Sequence, residues 1–262
     1  MNKIKILILI LFLTIINSLT YANPIVTPYY HFSPAGQLQT GLKEIYTHEK
    51  DSETEDIMWS SDTKLELNSS IFKDFELEIS FPYTSKNSTR VLDKQQGLND
   101  SKIYFRYHIY SNQNYILSDR DLDVALQFGG KIYTGEKKKG LIDRENEILT
   151  SLLGTYELGK YLDGECFLYF HMGLWLPLLE DYTYDNVFQY DFALEYKAND
   201  KMSFLLEGNG FKNPDNNRGY IAPGFQFHPD KNLELNLSIG GNLPILGESI
   251  NTRTIVGVNY IF

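Results

Sequence analysis

From residue 36 to the end, apolar and polar residues trade places one at a time along much of the chain. The clearest apolar rows are Phe75, Leu77, Ile79, Phe81; Ile103, Phe105, Tyr107, Ile109; Val124, Leu126, Phe128, Ile132; Phe188, Tyr190, Phe192, Leu194, Tyr196; and Leu233, Leu235, Leu237, Ile239. Successive side chains on a strand point to opposite faces, so each row builds one greasy face and leaves the other polar. The pattern predicts strands near 36–47, 57–69, 74–83, 101–111, 121–133, 146–158, 165–176, 187–197, 201–211, 218–228, 232–242 and 250–262. The last of these runs to the final residue, with Val256, Val258, Tyr260 and Phe262 on one face and Arg253, Ile255, Gly257, Asn259 and Ile261 on the other.

Alternation alone fits a soluble sandwich as well as a membrane barrel. Segment length favours the barrel, because runs of about 10–13 residues exceed the usual globular strand and match what a tilted strand needs to cross a bilayer. The connections also alternate. His48–Asp56, Thr84–Asp100, Thr134–Glu145, Pro177–Asn186, Lys212–Asn217 and Leu243–Ser249 are long or elaborate, whereas Ser70–Lys73, Gly159–Gly164, Ala198–Asp200 and Pro229–Lys231 are tight, with Asn112–Arg120 the exception. Short turns at one end, longer loops at the other and an even strand count are the layout of an outer-membrane barrel. The expectation is an all-β, antiparallel, up-and-down transmembrane barrel of about twelve strands. The first strand alternates poorly, and Pro223-Gly224 interrupts another, as expected of an edge or bend.

The start of the chain agrees with export. Lys3 and Lys5 precede an Ile/Leu/Phe run from Ile6 to Ile16, and Thr20-Tyr21-Ala22 offers a cleavage site ahead of Asn23. That run is short of the roughly 20 residues a spanning helix needs, so residues 1–22 read as a cleaved signal peptide. Residues 23–35 form a proline-rich aromatic leader that could fold back as a plug, and 36–262 form the barrel. The formal charge is −10, and losing the signal removes two lysines and no acids. An acidic chain of this kind excludes a nucleic-acid partner, whose phosphates need surplus Lys and Arg. Cys166 is alone, so no disulfide framework or Cys-based metal site is expected, and it falls on the greasy parity of its strand.

If the greasy rows face lipid, the other parity faces a lumen. It carries Lys64 and Glu66, Glu76 and Glu78, Lys102, Arg106 and His108, Asp123, Gln127 and Lys131, Glu147 and Ser151, His171, Asp191 and Glu195, Glu207 and Asn209, Arg218, Glu234 and Asn236, and Arg253. Acids and bases are interspersed, which suits paired networks bracing a narrow passage better than a single-sign ion pore. Lys102, Arg106, His108, Lys131, Glu207 and Arg218 are the candidate pore-lining residues. Enzyme readings find little support. A barrel hydrolase of the phospholipase type needs His and Ser two apart on one strand face, and of the five histidines, His31, His48, His108, His171 and His228, the three on predicted strands, His108, His171 and His228, have no such neighbour. No two histidines are spaced as strand neighbours for a metal, and no cofactor is expected. The long loops, with a positive knob at Lys137-Lys138-Lys139, leave a structural or adhesive barrel as a further alternative, and that knob could lean on anionic headgroups of outer-membrane lipid or lipopolysaccharide.

Several turn-centred stretches resemble the "MetA-pathway of phenol degradation" family of outer-membrane transporters. They are Leu77-Glu78-Ile79-Ser80-Phe81-Pro82-Tyr83, Gly97-Leu98-Asn99-Asp100 leading into Lys102–Tyr110, Lys131-Ile132-Tyr133-Thr134-Gly135, Leu205-Leu206-Glu207-Gly208, Tyr220 to Gly224, and Pro229-Asp230-Lys231-Asn232. Tyr133-Thr134-Gly135 stands where Pro-Thr-Gly is expected. The resemblance implies a Gram-negative outer-membrane barrel moving small, often aromatic or apolar, organic compounds, and supplies no contact residues. The ending Val258, Tyr260, Phe262 likewise resembles the tag by which outer-membrane barrels are recognised by their assembly machinery.

Overall fold

The computed structural model describes residues 36–50, 57–72, 74–89, 95–111, 122–132, 134, 147–177, 186–212, 217–242 and 250–262. The signal peptide, the leader, the Lys137–Lys139 knob and most of the long connections lie outside them. The strands are β1 Leu38–Lys50, β2 Ile57–Phe72, β3 Phe75–Ser88, β4 Gln95–Leu98, β5 Ser101–Ser111, β6 Leu122–Ile132, β7 Glu147–Tyr161, β8 Gly164–Pro177, β9 Val187–Asn199, β10 Met202–Lys212, β11 Asn217–Asp230, β12 Leu233–Asn242 and β13 Ile250–Ile261. Apart from β4 and β5, which do not pair with each other, consecutive strands pair antiparallel, and β1 pairs with both β2 and β13, so the sheet closes on itself. β4 and β5 both pair with β3, on either side of a break at Asn99-Asp100. Counted as one wall strand, they turn thirteen segments into the twelve strands of the barrel. Closure leaves no edge, which is what lets a sheet satisfy its backbone in hydrocarbon.

Burial is inverted relative to a soluble sandwich. Phe105, Leu126, Phe128, Phe192 and Leu237 are 41–54% exposed on the outside, while Glu207 and Gln226 are fully covered and His171 and Glu195 are 1% exposed within. The greasy rows therefore form a continuous outward belt, and the polar parity fills the interior. Cys166 shares its parity with the outward Met172 and Leu174 and is half-buried. On the outer face Gly154, Gly208 and Gly210 stand opposite Phe170, Phe192 and Tyr190, and each aromatic ring lies where a Cβ would project. A ring laid over a bare glycine restores the side-chain cover that the glycine lacks.

Two details depart from the sequence expectation, and two strands it marked as weakly patterned form nonetheless. β3 runs on to Ser88 and β4 forms within the segment read as the Thr84–Asp100 loop. Above Tyr83 the wall has left the apolar belt, so the ladders of Thr84–Ser88 with Met58–Asp62 and of Thr84–Lys86 with Gln95–Gly97 carry the strand onward, and no greasy row marks it. The turn read as Gly159–Gly164 shrinks to Leu162-Asp163, whose φ values of 47° and 67° are those of a two-residue hairpin turn twisted to match its strands. Gly159, with φ of 102°, takes up the bulge next to it. β1 forms despite its poor alternation because twelve of its residues pair with β13, from Gln39 opposite Ile261 to Lys50 opposite Ile250. Its outward face carries Glu44 between Leu42 and Tyr46, and the Thr63 hydroxyl donates to that carboxylate at 2.5 Å. β11 passes straight through Pro223, but its ladder to β12 skips Ala222 and Pro223, as a residue without an N–H dictates.

At the end of the chain Val256, Val258 and Tyr260 lie on the outer parity. Phe262 folds against Tyr260, ring centroids 4.8 Å apart, and its N–H donates to the Leu38 carbonyl at 2.8 Å. The terminal aromatic is tucked in at 7% exposure and fastens the end of the chain to β1.

Candidate functional site

Tilted strands make the paired residues of a barrel wall line up as rungs that climb around the lumen. Four inward rungs carry the charged network from β2 to β10. The first runs Glu66, Ser80, Lys102, Lys131, Glu147, from β2 to β7. The next, nearer the short-turn end, is Asn68, Glu78, Tyr104, Gly129, Leu149, Trp175, Val187. Below it come Glu76, Arg106, Gln127, Ser151, Gly173, Gln189, and then His108, Ala125, Leu153, His171, Asp191, Asn209.

These rungs place charge against charge. Arg106 donates to Gln127 Oε1 at 2.8 Å through Nε, pairs closely with Glu78 through its second amino group, and lies 3.8 Å from Glu76. Lys131 Nζ is 3.2 Å from Glu147, and Glu66 is shared by Lys43 at 3.0 Å and by Lys64. His108 stands 3.7 Å from both Asp74 and Asp123. Further round the wall His171 Nδ1 meets Asp191 at 2.7 Å, and the same carboxylate accepts from Gln189 at 2.7 Å and Asn209 at 3.1 Å. Tyr169 donates to Glu195 at 2.5 Å, and Asn236 and Asn259 donate to Glu234. Buried charges held this way rigidify a wall, because removing either partner strands the other away from water.

Of the six residues singled out, the structure gathers Lys102, Arg106, His108 and Lys131 onto the facing strands β5 and β6. Glu207 is inward on β10, fully covered and on the far wall from them. Arg218 pairs with Phe211 in β11, and its side chain lies outside the described residues.

A set of inward aromatic and aliphatic side chains escaped the sequence reading, which assigned the interior to polar residues. Tyr104, Leu149, Leu153, Tyr169, Trp175 and Ile255 all face in and are buried. The signal was present, since Tyr104 lies between Lys102 and Arg106 and Trp175 is four residues from His171, both on the inward parity. At the long-connection end Tyr104 meets Trp175 edge to face, 6.4 Å between centroids, with Leu149 and Val187 packed beside them. The rings reach one another across Gly129, where a Cβ would strike Tyr104 and the Ile103 carbonyl. Lys102 and Lys131 hold their ammonium groups 5.6 and 5.7 Å from the Trp175 ring centre. Lys102 is flanked in its rung by Ser80 and Lys131, and no carboxylate lies within ion-pairing distance of it among the described residues.

The Gly97-Leu98-Asn99-Asp100 stretch braces this mouth. The Ser101 N–H donates to Thr134 Oγ1 at 2.9 Å, and the Thr134 hydroxyl donates to the Asn99 carbonyl at 3.0 Å. Asn99 Nδ2 donates to Thr84 Oγ1 at 3.1 Å, and Thr84 donates to Asp62 at 2.6 Å. The broken strand is thus sewn to β2, β3 and the end of β6.

Folding also brings a hydroxyl near a His–Asp pair that sequence spacing kept apart. Ser151 sits opposite Gly173, two residues from His171, and a Cβ on Gly173 would lie 2.9 Å from Ser151 Cβ and 3.3 Å from His171 Nε2. Neither the Ser151 hydroxyl nor His171 Nε2 has a hydrogen-bond partner, and Ser151, His171 and Asp191 are 1–4% exposed. Without the hydroxyl-to-imidazole hydrogen bond and without access, the three make a packed wall segment and lack the geometry of a nucleophile with its base. Among the described residues no group of three His, Cys, Asp or Glu side chains could hold a metal ion.

No family model and no curated protein matches the chain. Solved structures match the fold. An outer membrane channel, COG4313, from Pseudomonas putida F1 superposes with a TM-score of 0.66 at 12% identity, covering 92% of this chain and 100% of that one. The NanC porin gives 0.56 at 11% identity over 84% of this chain and 98% of its own. The beta domain of the Bordetella autotransporter BrkA gives 0.50 at 12% identity, covering 85% and 98%. At such identities the likeness establishes the outer-membrane-type barrel fold, which hosts more than one activity.

Proposed function

We propose that this protein is an outer-membrane channel, without enzymatic activity, that passes small organic solutes through a narrow lumen. The observation that carries the reading is the inverted burial of a closed ring, a greasy belt outside and a polar interior, together with an aromatic and cationic cluster at one mouth. A barrel serving only as an anchor gains nothing from an uncompensated lysine over a tryptophan at its mouth, whereas a passage meets its solute there. The channel and porin among the similar folds support the same reading, as does the resemblance to the phenol-degradation transporter family.

In this reading residues 1–22 direct export and are removed, residues 23–35 lie at the periplasmic mouth and partly close it, and the long connections face outward among lipopolysaccharide. Val258, Tyr260 and Phe262 present the chain to the barrel assembly machinery. Lys102, Arg106, His108, Lys131, Glu207 and Arg218 shape the passage, the paired ones by narrowing it. Reconstitution of the mature chain in planar bilayers and in liposomes is the test: discrete conductance steps and solute-dependent swelling are expected. A well-folded barrel giving neither, with or without residues 23–34, overturns the reading.

A further inference from the structure

We infer that the outer mouth selects small aromatic carboxylates, a specificity that rests on the channel reading and narrows its solute class. Lys102, Lys131 and Glu147 follow one another in one rung, whose other acid, Glu66, is held by Lys43 and Lys64. Glu147 lies against Lys131 at 3.2 Å, which leaves Lys102 as the uncompensated charge. Its neighbours across the strands are a serine and another lysine, and among the described residues no carboxylate pairs with it.

The same place holds a pair of inward aromatic rings. Trp175 and Tyr104 meet edge to face, Leu149 and Val187 close the side, and both ammonium groups stand over the indole. An indole face steadies a cation without neutralising it. A solute with a planar apolar body and one carboxylate suits both halves of the site: the carboxylate takes the counter-ion position at Lys102 and Lys131, and the ring enters against Tyr104, Leu149 and Trp175, which are 2–8% exposed, by moving the lysine stems aside. A cationic solute meets two like charges first, and a neutral one leaves Lys102 uncompensated.

The next rung toward the periplasm differs in kind. Arg106 is closed off by Glu78, Glu76 and Gln127, so the wall below the mouth sets two carboxylates against one guanidinium and offers an anion no second tight hold. Conduction needs a site attractive enough to enter and weak enough to leave, and a single cationic aromatic step followed by a wall whose arginine is already held meets that condition.

Benzoate and its neutral amide, benzamide, share shape and separate charge from ring. The chain has two tryptophans, and Trp59 lies on the outer parity at 45% exposure, so W59F leaves Trp175 as the reporter. In the refolded full-length mature W59F protein, benzoate is expected to change Trp175 emission saturably, at concentrations about tenfold lower than benzamide, one charge-assisted contact being worth about that factor. K102Q is expected to abolish the preference and K102R to retain it. Liposome swelling should rank the two solutes in the same order. Equal binding and equal passage of benzoate and benzamide, or an undiminished preference in folded K102Q, overturns the inference. Saturable benzoate binding in a barrel that swells liposomes with no solute leaves the site standing and instead sinks the channel reading.

Discussion

Replacing Arg106 by methionine tests whether the interior is held by paired charge. The guanidinium is 7% exposed and Glu78 is 8% exposed, and the two are in close contact, with Gln127 bonded at 2.8 Å and Glu76 at 3.8 Å. Methionine fills much of the volume, so the loss is electrostatic: one carboxylate, and in part a second, is left buried without a counter-charge. Breaking a buried pair by removing one member costs about 3–5 kcal/mol. Gln127 forfeits a hydrogen bond worth about 1 kcal/mol, while water and protons admitted to the lumen return some of the loss, which puts R106M near 3 kcal/mol. That is roughly a hundredfold or more in the folding equilibrium. Equilibrium urea unfolding in phospholipid vesicles, followed by tryptophan emission, reads the change as a shift in midpoint at constant slope. Adding E78Q removes the stranded charge, so the double variant E78Q/R106M should recover about 1.5 kcal/mol relative to the sum of the single effects. A cost below about 1 kcal/mol for R106M, or strict additivity of the two, would mean that the lumen at this rung is wet and that charge pairing does not hold the wall.

Other substitutions probe other parts of the argument. L126R puts a charge on the outward belt and should cost about 2–4 kcal/mol in the same vesicle unfolding assay, whereas a cost near zero would place Leu126 in water. G208V pushes a branched side chain into the Phe192 ring that covers this glycine, and a loss of about 1–3 kcal/mol is expected; an unchanged midpoint would show that the ring is free to move aside. T134A removes the acceptor of the Ser101 N–H and the donor to the Asn99 carbonyl, so amide exchange at Ser101 should quicken while that in β9 and β10 stays as it was. S151A removes a hydroxyl that bonds to nothing and should leave conductance untouched, and the parent protein should show no ester hydrolysis for the substitution to abolish.

Much of the barrel is written into residue order, and the reason is the period of two. A strand that is wet on one side and greasy on the other must alternate, so Phe75–Phe81 or Phe188–Tyr196 announces its faces locally, and tight turns such as Ala198–Asp200 announce themselves by length. Local signals fail where the neighbour decides. β1, with Glu44 on its outward face, becomes a wall strand because β2 and β13 zip onto it from both sides, and β3 continues to Ser88 on ladder hydrogen bonds alone. The inward parity of Lys102, Arg106, His108 and Lys131 was legible for the same reason as the belt. Which of them are paired was not, because pairing depends on register across strands far apart in the chain: Arg106 finds Glu78 by the β3–β5 ladder, and His171 finds Asp191 by the β8–β9 ladder. The aromatic mouth is the extreme case. Tyr104 and Trp175 lie on strands separated by β6 and β7, and only the curvature of a closed sheet, with Gly129 leaving the gap between them, brings the two rings together under a pair of lysines.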